Sequence, residues 1–288
     1  MASRCVVVGL LGLLDLAACH GRSDASLDAA VSIESPVPVP EGLLAEAVVL
    51  DPNASWGRVQ RGTGGALALM PMNIGGLVTS LAALDPALGP EVDGAAPAFG
   101  AVAVGASGAL ATGDVSYACA VHLLDERRTR GTLFEGPNAR YVAREAYGMT
   151  LVSLAPSAAS AALPMAIAVS HGGFLVAARN EADLGRLGPY VSRTLPGRTR
   201  PNAAMAIDIP RSALGGPISP ALLSLWSSFR TEMERQDARM REAHGGRAPD
   251  FGDPRAIVEM SDAFVKDKVG ILADLDHARI LLDPTEDA

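Results

Sequence analysis

The sequence predicts an α+β protein with a largely antiparallel sheet, helices packed on one face of it, and long helices in the C-terminal third. Two hairpin signals indicate the sheet: residues 140–147 and 149–155 flank Gly148, and residues 165–169 and 174–178 flank a Gly-Gly turn. Two long stretches with helical periodicity follow these hairpins instead of alternating with them. Strands that pair locally before the long helices begin are typical of an antiparallel sheet.

Composition places the chain among globular proteins. Its 288 residues suffice for one large or two medium domains, and 49% of them are hydrophobic, so most of the chain can bury a core. The formal charge of -8 argues against a nucleic-acid surface, which needs a basic stripe. The sequence has neither paired cysteines nor a His-Glu-x-x-His motif, so it predicts no metal or other cofactor.

The chain divides into four regions by composition. They are a signal peptide over residues 1–18, a disordered proline-containing tether over 19–41, an N-terminal α+β region over 42–155 and a C-terminal α+β region over 164–288. A strand signal at 277–282 is followed by a turn and by no partner strand. Two interpretations of this end of the sequence are therefore possible: a truncated reading frame, or an acidic C-terminus that frays.

The first 18 residues have the layout of an export signal. Arg4 and the amino terminus precede an apolar run from Val6 to Leu14, and small residues lead into Cys19. That run is shorter than the roughly 20 apolar residues that a membrane-spanning helix needs. We therefore expect the chain to be exported.

The residues Leu16-Ala17-Ala18-Cys19 resemble the lipobox of bacterial lipoproteins. The resemblance implies that the Cys19 sulfur receives a diacylglyceryl group, that the chain is cut before Cys19, and that the new amine is acylated. Each buried methylene of an acyl chain contributes about 0.8 kcal/mol, so a multiply acylated cysteine binds a membrane stably. Asp15 departs from the family's pattern, as does the single basic side chain before the apolar run. An ordinary signal peptide with a chance cysteine, or an uncleaved anchor, is the alternative.

The segment after Cys19 indicates how the folded domain is held relative to the membrane, and which membrane it is. The alternating prolines of residues 36–40 favour an extended polyproline II spacer, which would hold a domain clear of the membrane. His20 occupies the position at which an aspartate resembles an inner-membrane retention signal in well-studied lipoproteins. The resemblance thus implies the outer membrane of a Gram-negative bacterium.

In the N-terminal region, short apolar runs between turn residues predict strands with one short helix. Strands are expected at 44–50, 99–104 and 116–124, a short helix at 76–83, and a turn at Asp51-Pro52-Asn53. Cys119 falls in the third strand, on the face that it shares with Tyr117 and Val121. Once Cys5 leaves with the signal and Cys19 is lipidated, Cys119 has no disulfide partner, and we expect a buried, unreactive thiol.

From about residue 180 onward, the sequence predicts mainly helices. Asn180 is a suitable N-cap, and Ser219-Pro220 and Asp253-Pro254 start two longer helices, because a capping side chain and a first-turn proline stand in their favoured places. The first of the two longer helices carries an apolar stripe formed by Leu222, Trp226, Phe229, Met233 and Met240. A strand precedes these helices at 203–209. The rhythm of hairpin, helix, strand and long helix over about residues 164–282 is similar to that of uncharacterised extracytoplasmic bacterial proteins, a resemblance that implies no activity.

His171-Gly172-Gly173 is similar to the oxyanion loop of lipases and esterases, whose backbone amides stabilise a developing negative charge. The companion Gly-x-Ser-x-Gly elbow is missing, since residues 105–109 lack the final glycine. A tight hairpin also requires glycines with positive φ. The sequence therefore favours a turn at this position.

These observations predict a lipid-anchored cell-envelope protein, attached through Cys19, with a non-enzymatic binding or scaffolding role. Its partners would be the membrane and an envelope protein or small ligand, and not nucleic acid. The alternative is an extracytoplasmic hydrolase whose site assembles only in three dimensions, with Ser170, His171 or His122 as candidate residues. A truncated product without function is a third hypothesis.

Overall fold

A single nine-stranded sheet forms the centre of the chain in the computed structural model, which describes residues 35–105, 110, 114–135, 139–155, 163–243 and 254–283. The strands are β1 (Leu43–Val49), β2 (Ala98–Val104), β3 (Val115–His122), β4 (Tyr141–Ala146), β5 (Met149–Leu154), β6 (Ala166–Ser170), β7 (Phe174–Ala178), β8 (Met205–Pro210) and β9 (His277–Leu282). All neighbouring strands pair antiparallel. The α+β class with an antiparallel sheet is confirmed.

The strand order shows that the two predicted α+β regions share this one sheet. Across the sheet the order is β4-β5-β6-β7-β3-β2-β1-β8-β9. The β3–β7 and β1–β8 pairs join strands from the two predicted regions. The strands β4 and β9 form the edges of the described sheet.

Six helices carry most of the remaining described chain. They are α1 (Pro52–Thr63), α2 (Ile74–Leu81), α3 (Glu126–Phe134), α4 (Glu181–Pro189), α5 (Ser219–Ala243) and α6 (Pro254–Asp274). Shorter helical segments lie at Gly65–Leu69, Pro86–Glu91, Tyr190–Thr194, Leu195–Gly197, Arg211–Ala213 and Leu214–Ile218. The predicted cap of α4 is confirmed, because the Asn180 side chain accepts a hydrogen bond from the Asp183 N–H at 2.9 Å.

Helices cover both faces of the sheet, whereas the sequence predicted one covered face. The helix α4 packs on the first face through Leu184 and Leu187, in a buried cluster with Ala118 of β3. On the second face α3 contributes Leu133 to a cluster with Val121 of the same strand. The prediction was wrong on this point because it relied on the long helices alone. The strand β7 is buried along its whole length, which is typical of a strand covered on both sides.

The expected turn at Asp51-Pro52-Asn53 is instead the start of α1. The Asp51 carboxylate accepts a hydrogen bond from the Ala54 N–H at 2.8 Å, and Pro52 occupies the first turn. An aspartate followed by proline is favoured both in turns and at helix starts, so the local pattern was ambiguous. The helix α3 gave no sequence signal, because it is mostly polar and buries only Thr129 and Leu133.

Candidate functional site

The predicted lipidation site, Cys19, lies outside the described residues, as does the signal peptide. The tether is described only from residue 35 onward, and there Val37 is held by Thr194. The Thr194 hydroxyl accepts from the Val37 N–H and donates to the Val37 carbonyl, both at 2.9 Å. Among the described helices, none combines the length and apolar character needed to cross a bilayer.

The hydroxyl of Ser170, a candidate hydrolase residue, supports the β6–β7 turn. It accepts a hydrogen bond from the Phe174 N–H at 3.1 Å, and Ser170 is 1% exposed. Gly173 has φ of +77°, a value that glycine adopts without strain. The turn at His171-Gly172-Gly173 is therefore confirmed.

His171 lies between two carboxylates on the surface. Its Nδ1 is 3.9 Å from Glu126 Oε1, and its Nε2 is 3.8 Å from Glu145 Oε2. Arg130 bridges the same two carboxylates at 3.3 and 3.4 Å, and the Thr150 hydroxyl donates to Glu145 at 2.5 Å. The imidazole therefore lies beside two carboxylates on an exposed part of the surface, where it could contact a substrate.

His122 belongs to a separate environment. Its Nδ1 is buried without a hydrogen-bond partner and lies 3.9 Å from Asp93 Oδ2. Its ring meets Phe174 edge-on, with centroids 5.2 Å apart. Within the described residues, no hydrogen bond joins any two of Ser170, His171 and His122, so the structure does not bring the three candidates together as a nucleophile and base.

Cys119 is exposed, so the prediction of a buried thiol is wrong. Cys119 does lie on the same face of β3 as Tyr117 and Val121, as the alternation of side chains along a strand predicts. Only the Val121 end of that face is buried, whereas Tyr117 and Cys119 are open to solvent. Alternation tells which side chains share a face, but the neighbouring elements decide whether that face is covered.

A cleft of about 430 Å³ lies between α1, α2 and the short helical segment Pro86–Glu91. Two asparagines line it, and both side-chain oxygens already accept backbone hydrogen bonds at the start of α2. Asn53 accepts from the Ile74 N–H at 2.8 Å, and Asn73 accepts from the Gly76 N–H at 2.6 Å. These amide oxygens stabilise the start of α2.

Glu46, Tyr190 and Arg198 form a buried polar cluster on the first face of the sheet. Glu46 is 8% exposed and accepts from both the Tyr190 hydroxyl and the Arg198 guanidinium. The same guanidinium donates to the Tyr190 oxygen at 2.6 Å. Burial and the adjacent Glu46 carboxylate raise the pKa of Tyr190, and Arg198 opposes the shift. The cluster holds its buried carboxylate in a hydrogen-bonded pair, which is a stabilising arrangement.

Asp262 joins the two long helices. It accepts a hydrogen bond from Trp226 Nε1 at 3.0 Å and lies 3.4 Å from Arg230 Nη1. Lys266, one turn later on α6, is 2.7 Å from the other carboxylate oxygen. The Lys266 hydrogen bond contributes most to lowering the pKa of Asp262, followed by that from Trp226. The apolar stripe predicted on α5 is only partly covered by this contact, since Phe229 is 55% exposed.

The helix α6 carries two apolar stripes on opposite sides. The inner stripe, formed by Val265, Val269 and Leu272, packs toward the protein, and Val269 is 8% exposed. The outer stripe is formed by Met260, Phe264 and Ile271 together with Leu275, the residue directly after the helix, and these side chains are 69%, 62%, 52% and 40% exposed. At about 100° per residue, Met260 and Ile271 point roughly 180–200° away from Val269. Both stripes follow helical spacing in the sequence, and the structure shows which of them packs against the protein.

Comparison of this chain with protein-family models, curated protein sequences and solved structures finds no match. The fold and the exposed stripes define an α+β protein with an uncovered apolar surface on its helical hairpin. The exposed side chains on the two helices include Phe229, Met260 and Phe264, which are 55%, 69% and 62% exposed.

Proposed function

We propose that this chain is a lipid-anchored cell-envelope protein, attached through Cys19, with a non-enzymatic binding role. The lipobox-like residues Leu16 to Cys19 and the proline-containing segment after them support attachment at the outer membrane. The binding role is supported by one structural observation, which is the outer stripe of α6. The helix already packs against α5 and the Leu214–Ile218 segment, while the side chains of its outer stripe remain 40–69% exposed.

The chemistry of the outer stripe favours a protein partner. Its side chains are one aromatic and three flexible or branched aliphatic groups, which pack well in a protein interface. Covering apolar surface contributes about 25 cal/mol for each Å² removed from water. An amphipathic helix or an apolar groove on another envelope protein would supply such a cover.

The test uses the full chain in its native membrane. A photo-crosslinking amino acid replaces Phe264 on the outer stripe or, as a matched control, Leu69, which is 90% exposed on another surface. We expect a protein adduct of discrete mass from position 264 and none from position 69. We also expect Cys19→Ala to leave the membrane fraction. A Cys19→Ala chain that stays membrane-bound would overturn the lipid anchor, and a chain without an adduct at 264 would overturn the binding role.

The arrangement of His171 with Glu126 and Glu145 favours one second candidate, an extracytoplasmic hydrolase. A histidine flanked by carboxylates can act as a general base toward a substrate or a water molecule. A screen of ester and peptide substrates tests this with the native chain, His171→Ala and the control His277→Ala, which changes an exposed histidine on β9. Turnover that disappears only in His171→Ala would establish the hydrolase, and the native chain's failure to turn over any substrate would exclude this candidate.

A further inference from the structure

We propose that the open edge of β9 binds an extended peptide segment of a partner protein, which adds to the sheet as one more antiparallel strand. The partner segment has the chemistry of β3, with small or apolar side chains on both of its faces. The inference goes beyond the proposed function, since it depends on neither Cys19 nor the outer stripe of α6.

The sheet contains the same structural unit twice. In the first unit β1 leads through α1 and α2 to β2, and in the second β8 leads through α5 and α6 to β9. Within each unit the two strands pair antiparallel, and the first strands of the two units, β1 and β8, also pair antiparallel. An approximate two-fold axis perpendicular to the sheet, between β1 and β8, therefore exchanges the two units.

The helices that connect the strands obey the same axis. Ile74 of α2 packs against the second-face cluster that contains Val121. Ile218, which directly precedes α5, packs against the same small cluster as Ile209, and the strand register places Ile209 on the same face as Val121. A rotation about an axis perpendicular to the sheet keeps each element on its own face. The two units therefore differ in helix length and agree in arrangement.

The axis identifies what fits beside β9. In the first unit β2 pairs with β1 on one side and with β3 on the other. In the second unit β9 pairs with β8, and its other side carries no strand within the described sheet. The position that the axis relates to β3 is therefore the open edge of β9. The side chains of β3 are Ser116, Ala118 and Ala120 on the first face and Tyr117, Cys119 and Val121 on the second.

The opposite edge of the sheet, β4, is protected against pairing. Its residues Arg144 and Glu145 follow each other in the chain, and both take part in ion pairs. Charged side chains on an edge strand discourage the addition of another strand. We therefore expect β4 to bind no extended segment.

The edge of β9 lacks this protection. Residues 280–282 form an apolar run, and Leu281 is 46% exposed. Arg279, the only arginine of β9, is directed toward the neighbouring strand, because its Nε lies 2.6 Å from Asp208 Oδ1. A flat, apolar edge of this kind is a favourable template for strand addition.

An added strand would use both the backbone and the side chains of β9. Its N–H and C=O groups would form a hydrogen-bonded ladder with the outward backbone groups of β9. Its side chains would cover Leu281 on the first face and Ile280 on the second, because the two residues alternate along β9. A partner with small or apolar residues on both faces, as β3 has, satisfies both contacts.

The test measures how a fluorescent synthetic peptide binds to the full chain. The peptide has the sequence of residues 114–123 with the substitution Cys119→Ser, and fluorescence anisotropy gives its dissociation constant. Two further peptides carry N-methyl groups on alternate residues, one on each set. Successive N–H groups of a strand point to opposite sides, so only one set can face β9. We expect one methylated peptide to bind at least about tenfold more weakly, and the other to remain within about threefold of the parent peptide.

Photo-crosslinking locates the bound peptide. A photoreactive amino acid replaces Leu281 on β9 or, as a matched control, Val142 on β4, whose side chains are 46% and 42% exposed. We expect a peptide adduct from position 281 and none from position 142. An adduct with equal yield at both edges would contradict the assignment to β9.

Three other results would overturn the inference. They are the absence of saturable peptide binding, equal weakening by the two sets of N-methyl groups, and an adduct from position 281 that joins two copies of the chain without any peptide. The last result would assign the edge to a second copy. The proposed function has separate measurements, at position 264 and at Cys19, so either proposal can fail without the other.

Discussion

The hydroxyl of Tyr190 donates a hydrogen bond to the carboxylate of Glu46, a residue 144 positions earlier in the chain. Tyr190 is fully buried, and Glu46 belongs to β1 near the start of the described fold. The bond therefore fastens the segment after α4 to the first strand. The Arg198 guanidinium completes the cluster by donating to both groups.

We expect Tyr190→Phe to lower the free energy of unfolding by about 1.5–3 kcal/mol, the range for a hydrogen bond to a charged group. The substitution keeps the ring and removes only the donor to the buried Glu46 carboxylate. Urea unfolding measures the effect. The matched control is Tyr117→Phe on the open face of β3, which should change stability by less than about 0.5 kcal/mol. Equal effects for the two variants would contradict a structural role for the cluster.

The raised pKa of Tyr190 gives the cluster a defined pH dependence. Because the phenol loses its proton less readily in the folded chain, its contribution is fully present below the unfolded pKa of about 10 and is lost as the pH rises through the folded value. We expect native stability to fall above pH about 10 more steeply than that of Tyr190→Phe. Parallel pH profiles for the two chains would show that Tyr190 is not the titrating group.

Gly75 allows α2 to approach the short helical segment Pro86–Glu91. A Cβ at this position would lie 2.0 Å from the carbonyl oxygen of Gly89, so the backbone would have to move. We expect Gly75→Ala to cost about 1–3 kcal/mol of unfolding free energy, as overpacking does. Gly62→Ala is the matched control, because no atom lies within 4 Å of its Cβ position. That alanine should be neutral or stabilise α1 by up to about 1 kcal/mol.

Asp262→Asn should loosen the contact between α5 and α6 and expose the Trp226 ring, since the amide pairs weakly with Arg230 and Lys266. Trp226 emission, measured in a Trp56→Phe background, should shift to longer wavelength. Because the pKa of Asp262 is lowered, its stabilising effect is present above the unfolded pKa of about 4 and is lost as the pH falls through the folded value. The native chain should therefore acquire the variant's spectrum in acid. Identical spectra at neutral pH would contradict this role.

Cys119 should be the one thiol that reacts with a small reagent in the native, lipidated chain. The sequence has three cysteines, of which Cys5 leaves with the signal and Cys19 carries the lipid in the proposed mature form. Cys119 is open to solvent, but the sheet around it displaces water and raises the pKa of its thiol. We expect one slow equivalent of thiol, accelerated at higher pH, and none in Cys119→Ala. Two equivalents would show that Cys19 is unmodified.

Local signals predicted most strands and the later helices but not α1 or α3, and they did not predict which distant strands pair. The turn at Gly148 and the cap at Asn180 were readable because each depends on a few adjacent residues. The strand β9 has the predicted bounds for the same reason. The β1–β8 and β3–β7 pairs join strands that are far apart in the chain. A local sequence pattern can predict a strand, but it does not specify which distant strand will pair with it.

The site was predictable in part. Periodicity placed Cys119 on the correct face of β3 and could not show that this part of the face is uncovered. The Ser170 hydroxyl is a potential nucleophile, but in the structure it accepts a hydrogen bond from the Phe174 N–H within the β6–β7 turn. The outer stripe of α6 was present in the sequence, since Met260, Phe264 and Ile271 follow helical spacing. It became informative only when the inner stripe was seen to occupy the opposite side.

The mass of the amino-terminal peptide, taken from the mature chain in its native membrane, tests the central claim most directly. We predict that Cys19 is the first residue and that the peptide carries a thioether-linked diacylglyceryl group and an acylated amine. A mature chain that begins at another residue, or an unmodified Cys19, would contradict the account.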